Sequence, residues 1–264
     1  MSEIPPSAEL RPDQPHPALV YDFYLGGKDH FASDRELGQQ VLEICPHLAS
    51  GAQTNRRFLA RSVGLITREY GVRQFLDLGT GLPTSPNLHE VAQKIAPESK
   101  VVYVDNDPIV LVHARALLAS APEGVTRYID GDVVDIDRIL EEAARTLDFD
   151  RPVAVSALAL LHFLPDPRPA EMLAKVRDRL APGSFLSISH ALPGLRDAAA
   201  AYQGATGLGT LRDRDEITAL FGDFELLEPG VTEAHRWRPE LDPAEESPEN
   251  ELDGLGACGV ARKR

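Results

Sequence analysis

Three acidic residues are spaced so that each closes a predicted β-strand on the same side of a sheet. In Phe75-Leu76-Asp77-Leu78-Gly79-Thr80-Gly81-Leu82-Pro83-Thr84 an apolar run carries Asp77 into a glycine turn. Val101 to Val104 runs into Asp105-Asn106-Asp107, and Val125 to Ile129 runs into Asp130-Gly131-Asp132-Val133. Open α/β sheets bind ligands at the carboxyl ends of their strands, so the three acids address one candidate site. A carboxylate ending the second strand can accept hydrogen bonds from both hydroxyls of a ribose, the role read for Asp105. Asp132 is placed to accept from an adenine amino group while the Val133 backbone reads the ring edge. Against that stands a loop aspartate bonding its own backbone. Asp107, followed by Pro108, is sufficiently explained as a helix cap.

Two ligand classes compete for this frame. A dinucleotide needs a pyrophosphate seat, usually Gly-x-Gly-x-x-Gly opening a helix. Here Thr84 stands at the third glycine position and Pro83 precedes it. Asp77, two residues before the first glycine, opposes a diphosphate and suits a cationic amino acid group. S-adenosylmethionine carries an amine, a sulfonium, a ribose and an adenine but no phosphate, and the acidic frame favours it. The candidate cofactor residues are therefore Asp77, Gly79, Thr80, Gly81, Asp105, Asn106, Asp132 and Val133.

The elements that must position them follow from periodicity and punctuation. Residues 1–17 are Pro-rich and polar, and read as a flexible leader. Three helices are expected over 18–71. The first ends at Gly26-Gly27; the second starts near Ser33, with Glu36 completing a capping box; the third runs from about Gln53 to Tyr70. From residue 72 to 264 strands alternate with helices, which implies a parallel, doubly wound sheet. The strands are read at 74–78, 101–104, 125–129, 153–160 and 185–189. A helix is expected with Ser85 as N-cap and Pro86 at its first position. Residues 192–212 read as a mobile helical excursion and 239–253 as a solvated acidic loop. Residues 224–227 and 256–261 read as a hairpin-like strand pair at a sheet edge.

Composition narrows the partners. A net charge of −14 over 264 residues opposes tracking a nucleic-acid backbone, which needs clustered Lys and Arg. No apolar run approaches the ~20 residues that span a bilayer. No basic-then-apolar leader is present, and a cytoplasmic location is expected. Cys45 and Cys258 match no metal-ligand spacing and read as core residues.

Several segments resemble a family of S-adenosylmethionine-dependent methyltransferases best known from actinomycete bacteria. They are Tyr21 to Phe31, Phe75 to Thr84, Val101 to Pro108 and Leu161-His162-Phe163-Leu164-Pro165. The resemblance runs from about Pro15 to Lys263. It implies a Rossmann-like fold with a seven-stranded, mostly parallel sheet whose last strand is antiparallel, preceded by a helical N-terminal extension. Asp77, Gly79 and Gly81 match the superfamily's acidic-x-Gly-x-Gly-x-Gly pattern, and Pro83 departs from it.

Methyl transfer from a sulfonium needs alignment, exclusion of water, and a base only where the nucleophile is protonated. His162, just past the fourth strand, is the candidate base, with packing beside Phe163 as the competing role. Tyr24, Lys28 and His30, around the double glycine, are read as a polar lid; a capped helix end with a solvated lysine is the competing reading. Ser156 to His162 lacks the Asp/Asn-Pro-Pro-aromatic turn used on nucleic-acid amines, and neither cysteine lies there. A small-molecule acceptor is expected. A non-catalytic S-adenosylmethionine-binding sensor and a nicotinamide-dependent oxidoreductase are the competing functions.

Overall fold

The computed structural model describes residues 13–117, 120–206, 209–242 and 251–264. Most of the leader expected over 1–17, and residues 243–250 of the acidic loop, lie outside the described residues. The chain opens with α1 (Pro17–Tyr24), α2 (Ala32–Ile44) and α3 (Leu48–Glu69). There follow β1 (Gln74–Leu78), α4 (Leu88–Ile95), β2 (Lys100–Asp105), α5 (Pro108–Leu117), β3 (Val125–Asp130), α6 (Ile136–Ala143) and β4 (Ala154–Leu158). The chain continues through α7 (Arg168–Arg179), β5 (Phe185–Ala191), α8 (Arg196–Thr206) and α9 (Arg214–Ala219). It closes with β6 (Glu225–Leu226), β7 (Thr232–Glu233) and β8 (Gly256–Arg262).

The sheet order is β3-β2-β1-β4-β5-β8-β6, with β7 also paired to β8. Strands β1 to β5 are parallel, and the order reverses between β1 and β4, which pair directly. That switch point is where an open α/β sheet leaves a crevice. All five β1 residues are buried, as strands covered on both faces must be. One face packs under α6, α7 and α9 through Ile139, Leu173 and Ile217. The other packs under α3 and α4 through Phe58, Leu65 and Leu88.

The terminal strand departs from the expected edge hairpin. β8 is antiparallel to β5 over seven paired residues and is covered on its far side by the two-residue strands β6 and β7. Its Ala257, Cys258, Val260 and Ala261 are buried, which suits an interior strand. The short β7 makes the sheet eight-stranded, one more than the resemblance implies. Cys258 is a core residue, whereas Cys45 is only half-buried.

Three helix starts also differ. α2 begins at Ala32, because the buried Asp34 carboxylate reaches back to the Phe31 N–H (2.8 Å) and also holds the His16 N–H (2.7 Å). α4 begins at Leu88, where Glu90 accepts from the Asn87 N–H at 2.7 Å and from Ser85 Oγ at 3.0 Å. The turn after β1 is thus a loop over residues 79–87 and no helix opens at the glycines. α3 starts five residues before the expected Gln53.

The helical preface is fastened to the sheet. Buried Arg61 of α3 donates through Nε to the Trp237 carbonyl at 3.0 Å, and the Trp237 ring lies edge-on to Phe58, 5.1 Å between centroids. Trp237 is fully buried. Replacing it with Ala should cost about 3–5 kcal/mol, lowering Tm by roughly 10 °C in calorimetry, because the cavity opens between α3 and the sheet.

Candidate active site

Above the switch point lies a cleft of about 1170 Å³. Its floor is made by the ends of β1 to β4, and its walls by α1, α3, α8 and the turn after β4. All eight candidate cofactor residues line it, as do Tyr24 and His162. Pro83 does not line it, although its neighbours Leu82 and Thr84 do.

The glycine turn is held from below and from the side. The Gly79 and Thr80 N–H groups donate to the Val104 carbonyl at 2.9 and 3.1 Å, so the turn continues the β1–β2 ladder. Gly79 and Gly81 have φ of +67° and +65°, values that exclude most side chains. A Cβ at Gly79 would lie 2.5 Å from Leu160 Cδ1, whereas one at Gly81 would meet nothing. Asp105 spans the gap to β2: Oδ2 accepts from the Gly81 N–H at 2.9 Å and Oδ1 from the Asp107 N–H at 3.0 Å. Each oxygen keeps a lone pair for a ribose hydroxyl. Asp107 caps α5 through the Ile109 N–H at 2.8 Å. Asp132 lines the cleft, and its Oδ1 accepts from the Val134 N–H at 3.0 Å, the local backbone bond weighed against a ligand role.

Asp77 tests what the site fits. It is 6 % exposed, flanked in the sheet by Tyr103 and Ser156. Burial lifts its carboxyl to about 7; Asp105 pushes the same way, and Arg56 and Thr80 only partly offset this. A buried acid in that condition gains from a cation placed against it. Arg56 of α3, not singled out from the sequence, donates to the Thr84 carbonyl and to the Pro86 carbonyl at 2.9 Å, while its Nε is buried without an acceptor. A buried acid wanting a cation and an arginine donor wanting an acceptor, on one cleft wall, match the amine and carboxylate of an amino acid. The glycine loop with no helix N-terminus removes the usual phosphate seat.

Past β4 the backbone is strained: Ala159 has φ of +51° and donates its N–H to Ser189 Oγ at 2.9 Å. This turn presents His162, whose ring lies 4.3 Å from Phe163 and 5.5 Å from His190, centroid to centroid. Burial, His190 and Arg212 pull its pKa down to about 3, so the imidazole is neutral and a weak base. Its Nδ1 is buried without a partner. Beneath it, Arg212 donates to the Leu161 and Leu164 carbonyls and His190 Nε2, at 3.0, 3.0 and 2.8 Å, and pairs with Asp166 at 2.8 Å. Arg212 thereby fixes the turn that carries His162. Nothing local in the sequence distinguishes this arginine or Arg56 from a solvated one.

Lys28 and His30 stand away from the cleft. Asp22 accepts from the Asp29 N–H at 3.0 Å and lies 3.1 Å from His30 Nδ1, which draws the loop back onto α1. Gly27 is required there, since a Cβ would lie 1.9 Å from Asp22 Oδ1. Lys28 is exposed. The polar lid expected from these two residues is therefore replaced by tyrosines: Tyr21 and Tyr24 from α1, and Tyr202 from α8, line the cleft.

The Asp77 titration sets a pH dependence. An amine placed against Asp77 pairs only with the ionised carboxylate, so S-adenosylhomocysteine affinity should rise about tenfold per unit from pH 5 to 7 and level off above. Asp77→Asn should flatten that profile. Because the folded pKa is raised, the stability of protonated Asp77 is full below about 4 and lost as pH rises through about 7. The same variant should accordingly raise the unliganded Tm at pH 8 while weakening binding, by calorimetry and titration on one preparation.

The comparisons with known proteins bear on the whole chain. A family described as S-adenosyl methyltransferase matches residues 4–264. A DUF574 family protein from Streptomyces avermitilis is 40% identical, with a TM-score of 0.91 covering 96% of this chain and 98% of that one. A candidate methyltransferase from Thermobifida fusca is also 40% identical, with a TM-score of 0.89 covering 99% and 100%. An S-adenosylmethionine-dependent methyltransferase from Mesorhizobium loti, 18% identical, has a TM-score of 0.51 over 76% of this chain and 96% of that one; it shares the fold alone. No curated protein matches the chain. The nicotinamide reading is thereby set aside: the chain belongs to the S-adenosyl methyltransferase family, and its cofactor is S-adenosylmethionine.

Proposed function

We propose that this S-adenosylmethionine-dependent enzyme methylates a small molecule by in-line transfer, with the acceptor bound under α1 and α8. The observation that carries this is the continuity and size of the cleft. Sites for one drug-sized ligand hold roughly 300–1,000 Å³, and about 1170 Å³ leaves room for a donor and an acceptor together. The donor supplies an electrophilic methyl group on sulfur. Asp105 accepts from the ribose hydroxyls, Asp132 and Val133 read the adenine, and ionised Asp77 holds the amine. Arg56 stands beside the carboxylate, and the glycine turn lets the chain approach without a Cβ.

The residues of this chain align and enclose rather than abstract protons. His162 is a neutral imidazole and Tyr24 is held protonated by burial and then by Cys45, so neither supplies a strong base. The walls exclude water at the meeting point of the two ligands. The acidic composition and the absence of a base-stacking amine turn support a small metabolite over nucleic acid. A cytoplasmic setting fits that reading, and no helix among the described residues is long and apolar enough to cross a membrane.

Calorimetric titration with S-adenosylhomocysteine should give saturable one-site binding. Asp105→Ala should weaken it roughly tenfold to a hundredfold, the worth of hydrogen bonds to a charged acceptor. Incubation with methyl-labelled donor and a small-metabolite extract should place label in a low-mass product. Tight donor binding with no transfer to any extract would sink the enzymatic reading and favour a sensor.

A further inference from the structure

We propose that the acceptor subsite takes an uncharged, planar aromatic molecule bearing a hydrogen-bonding substituent, seated against Phe163 and Tyr202, with Tyr24 Oη and His162 Nδ1 as its polar partners. This rests on the methyltransferase reading above and names the substrate class for the same cleft.

The rings form one wall from three separate elements. His162 and Phe163 come from the turn after β4, Tyr202 from α8 and Tyr24 from α1. Phe163 and Tyr202 are 6.4 Å apart, tilted by 39°, and Tyr202 packs on the same cluster as Tyr24. Aromatic faces at such spacing favour a further ring in offset or edge-on geometry over an aliphatic chain of equal area. Around them, among the described residues, α8 and the turn before it contribute Leu195, Ala198 and Ala199 to the cleft.

Polarity and charge are divided along the cleft. The acids Asp77, Asp105, Asp107 and Asp132 stand at the ends of β1 to β3, where the donor binds. On the ring-lined side Asp22 is engaged by the Asp29 N–H and His30, and Arg168 lies at the exposed rim. A charged acceptor seated among the rings would lose its hydration, and pairing with a solvated rim arginine returns little of that cost. Two buried polar atoms on that wall do lack partners. Tyr24 is 7 % exposed and its hydroxyl makes no hydrogen bond, and His162 Nδ1 makes none. Buried polar groups are normally paired, so a ligand group that donates to one and accepts from the other completes both. The lowered pKa of His162 keeps its ring uncharged beside that ligand.

The test uses the full chain loaded with S-adenosylhomocysteine and titrated by calorimetry and saturation-transfer NMR. The neutral probes are indole and 6-hydroxyquinoline; the controls are cyclohexylmethanol, 2-naphthoate and benzylamine. The neutral rings should bind roughly fivefold to tenfold more tightly than every control. Phe163→Leu, which keeps apolar bulk but loses the ring, should erase that preference, and Phe163→Tyr should retain it. Donor-product affinity should stay unchanged in both variants. Controls binding as tightly as the neutral rings, or a Phe163→Leu protein with the preference intact, would overturn the proposal. If S-adenosylhomocysteine itself does not bind, the donor reading fails first and this one with it, a result distinct from either of those.

Discussion

The Asp105 carboxylate joins two strand ends that would otherwise be independent. One oxygen takes the Gly81 N–H from the turn after β1 and the other takes the Asp107 N–H at the start of α5. Both donors are backbone, so the acid is oriented without a competing cation and still faces the cleft. The glycine turn can follow this path only because Gly79 and Gly81 adopt positive φ. An apolar side chain at 105 would leave two N–H groups without acceptors and slacken the floor of the site. The geometry of the cleft floor thus descends from one half-buried acceptor shared between β1 and β2.

The same economy of buried charge governs the rest of the cleft. Asp77 is placed where burial opposes its ionisation, a state that disfavours the unliganded protein above neutral pH and favours a bound amine. Such conflicts between local stability and environment concentrate at functional sites. On the far side Arg212 is buried but fully engaged by carbonyls, His190 and Asp166, and its role is to hold the turn bearing His162. One buried acid therefore borders the cleft at odds with its surroundings and the other charge is satisfied within the protein, and the surroundings of each residue decide which.

The helical preface and α8 convert an open crevice into an enclosed one. α1 and α8 both pack on a cluster containing Val20, Leu37 and Val41, so the two walls share one small core. α3 joins both: its Ala52 belongs to that cluster, and its Phe58 and Leu65 belong to the core between the helix and the sheet. The roof over the acceptor side is thereby anchored to α3, and the tyrosines it brings down replace the lysine and histidine that the double glycine suggested.

Sequence alone determined the alternation of strands and helices and the register of Asp77, Asp105 and Asp132, because burial on both faces writes near-continuous apolar runs that end where the chain emerges. It favoured the cofactor class too, since an acid before Gly79 and a missing third glycine conflict with a diphosphate. Helix starts were less legible: Glu90 reaches back to the Asn87 N–H and Asp34 to the Phe31 N–H, local caps that compete on equal terms with starts at Ser85 and Ser33. Tertiary structure alone decided the interior place of β8, which depends on β5 lying beside it. It also decided that Lys28 and His30 fold back onto Asp22 while Tyr202 enters the cleft. Arg56 and Arg212 read from sequence as ordinary surface cations; only packing shows which carbonyls they meet and which cleft they face. Residues that bond to their own strand or turn are written locally, and residues whose partners lie tens of positions away are not.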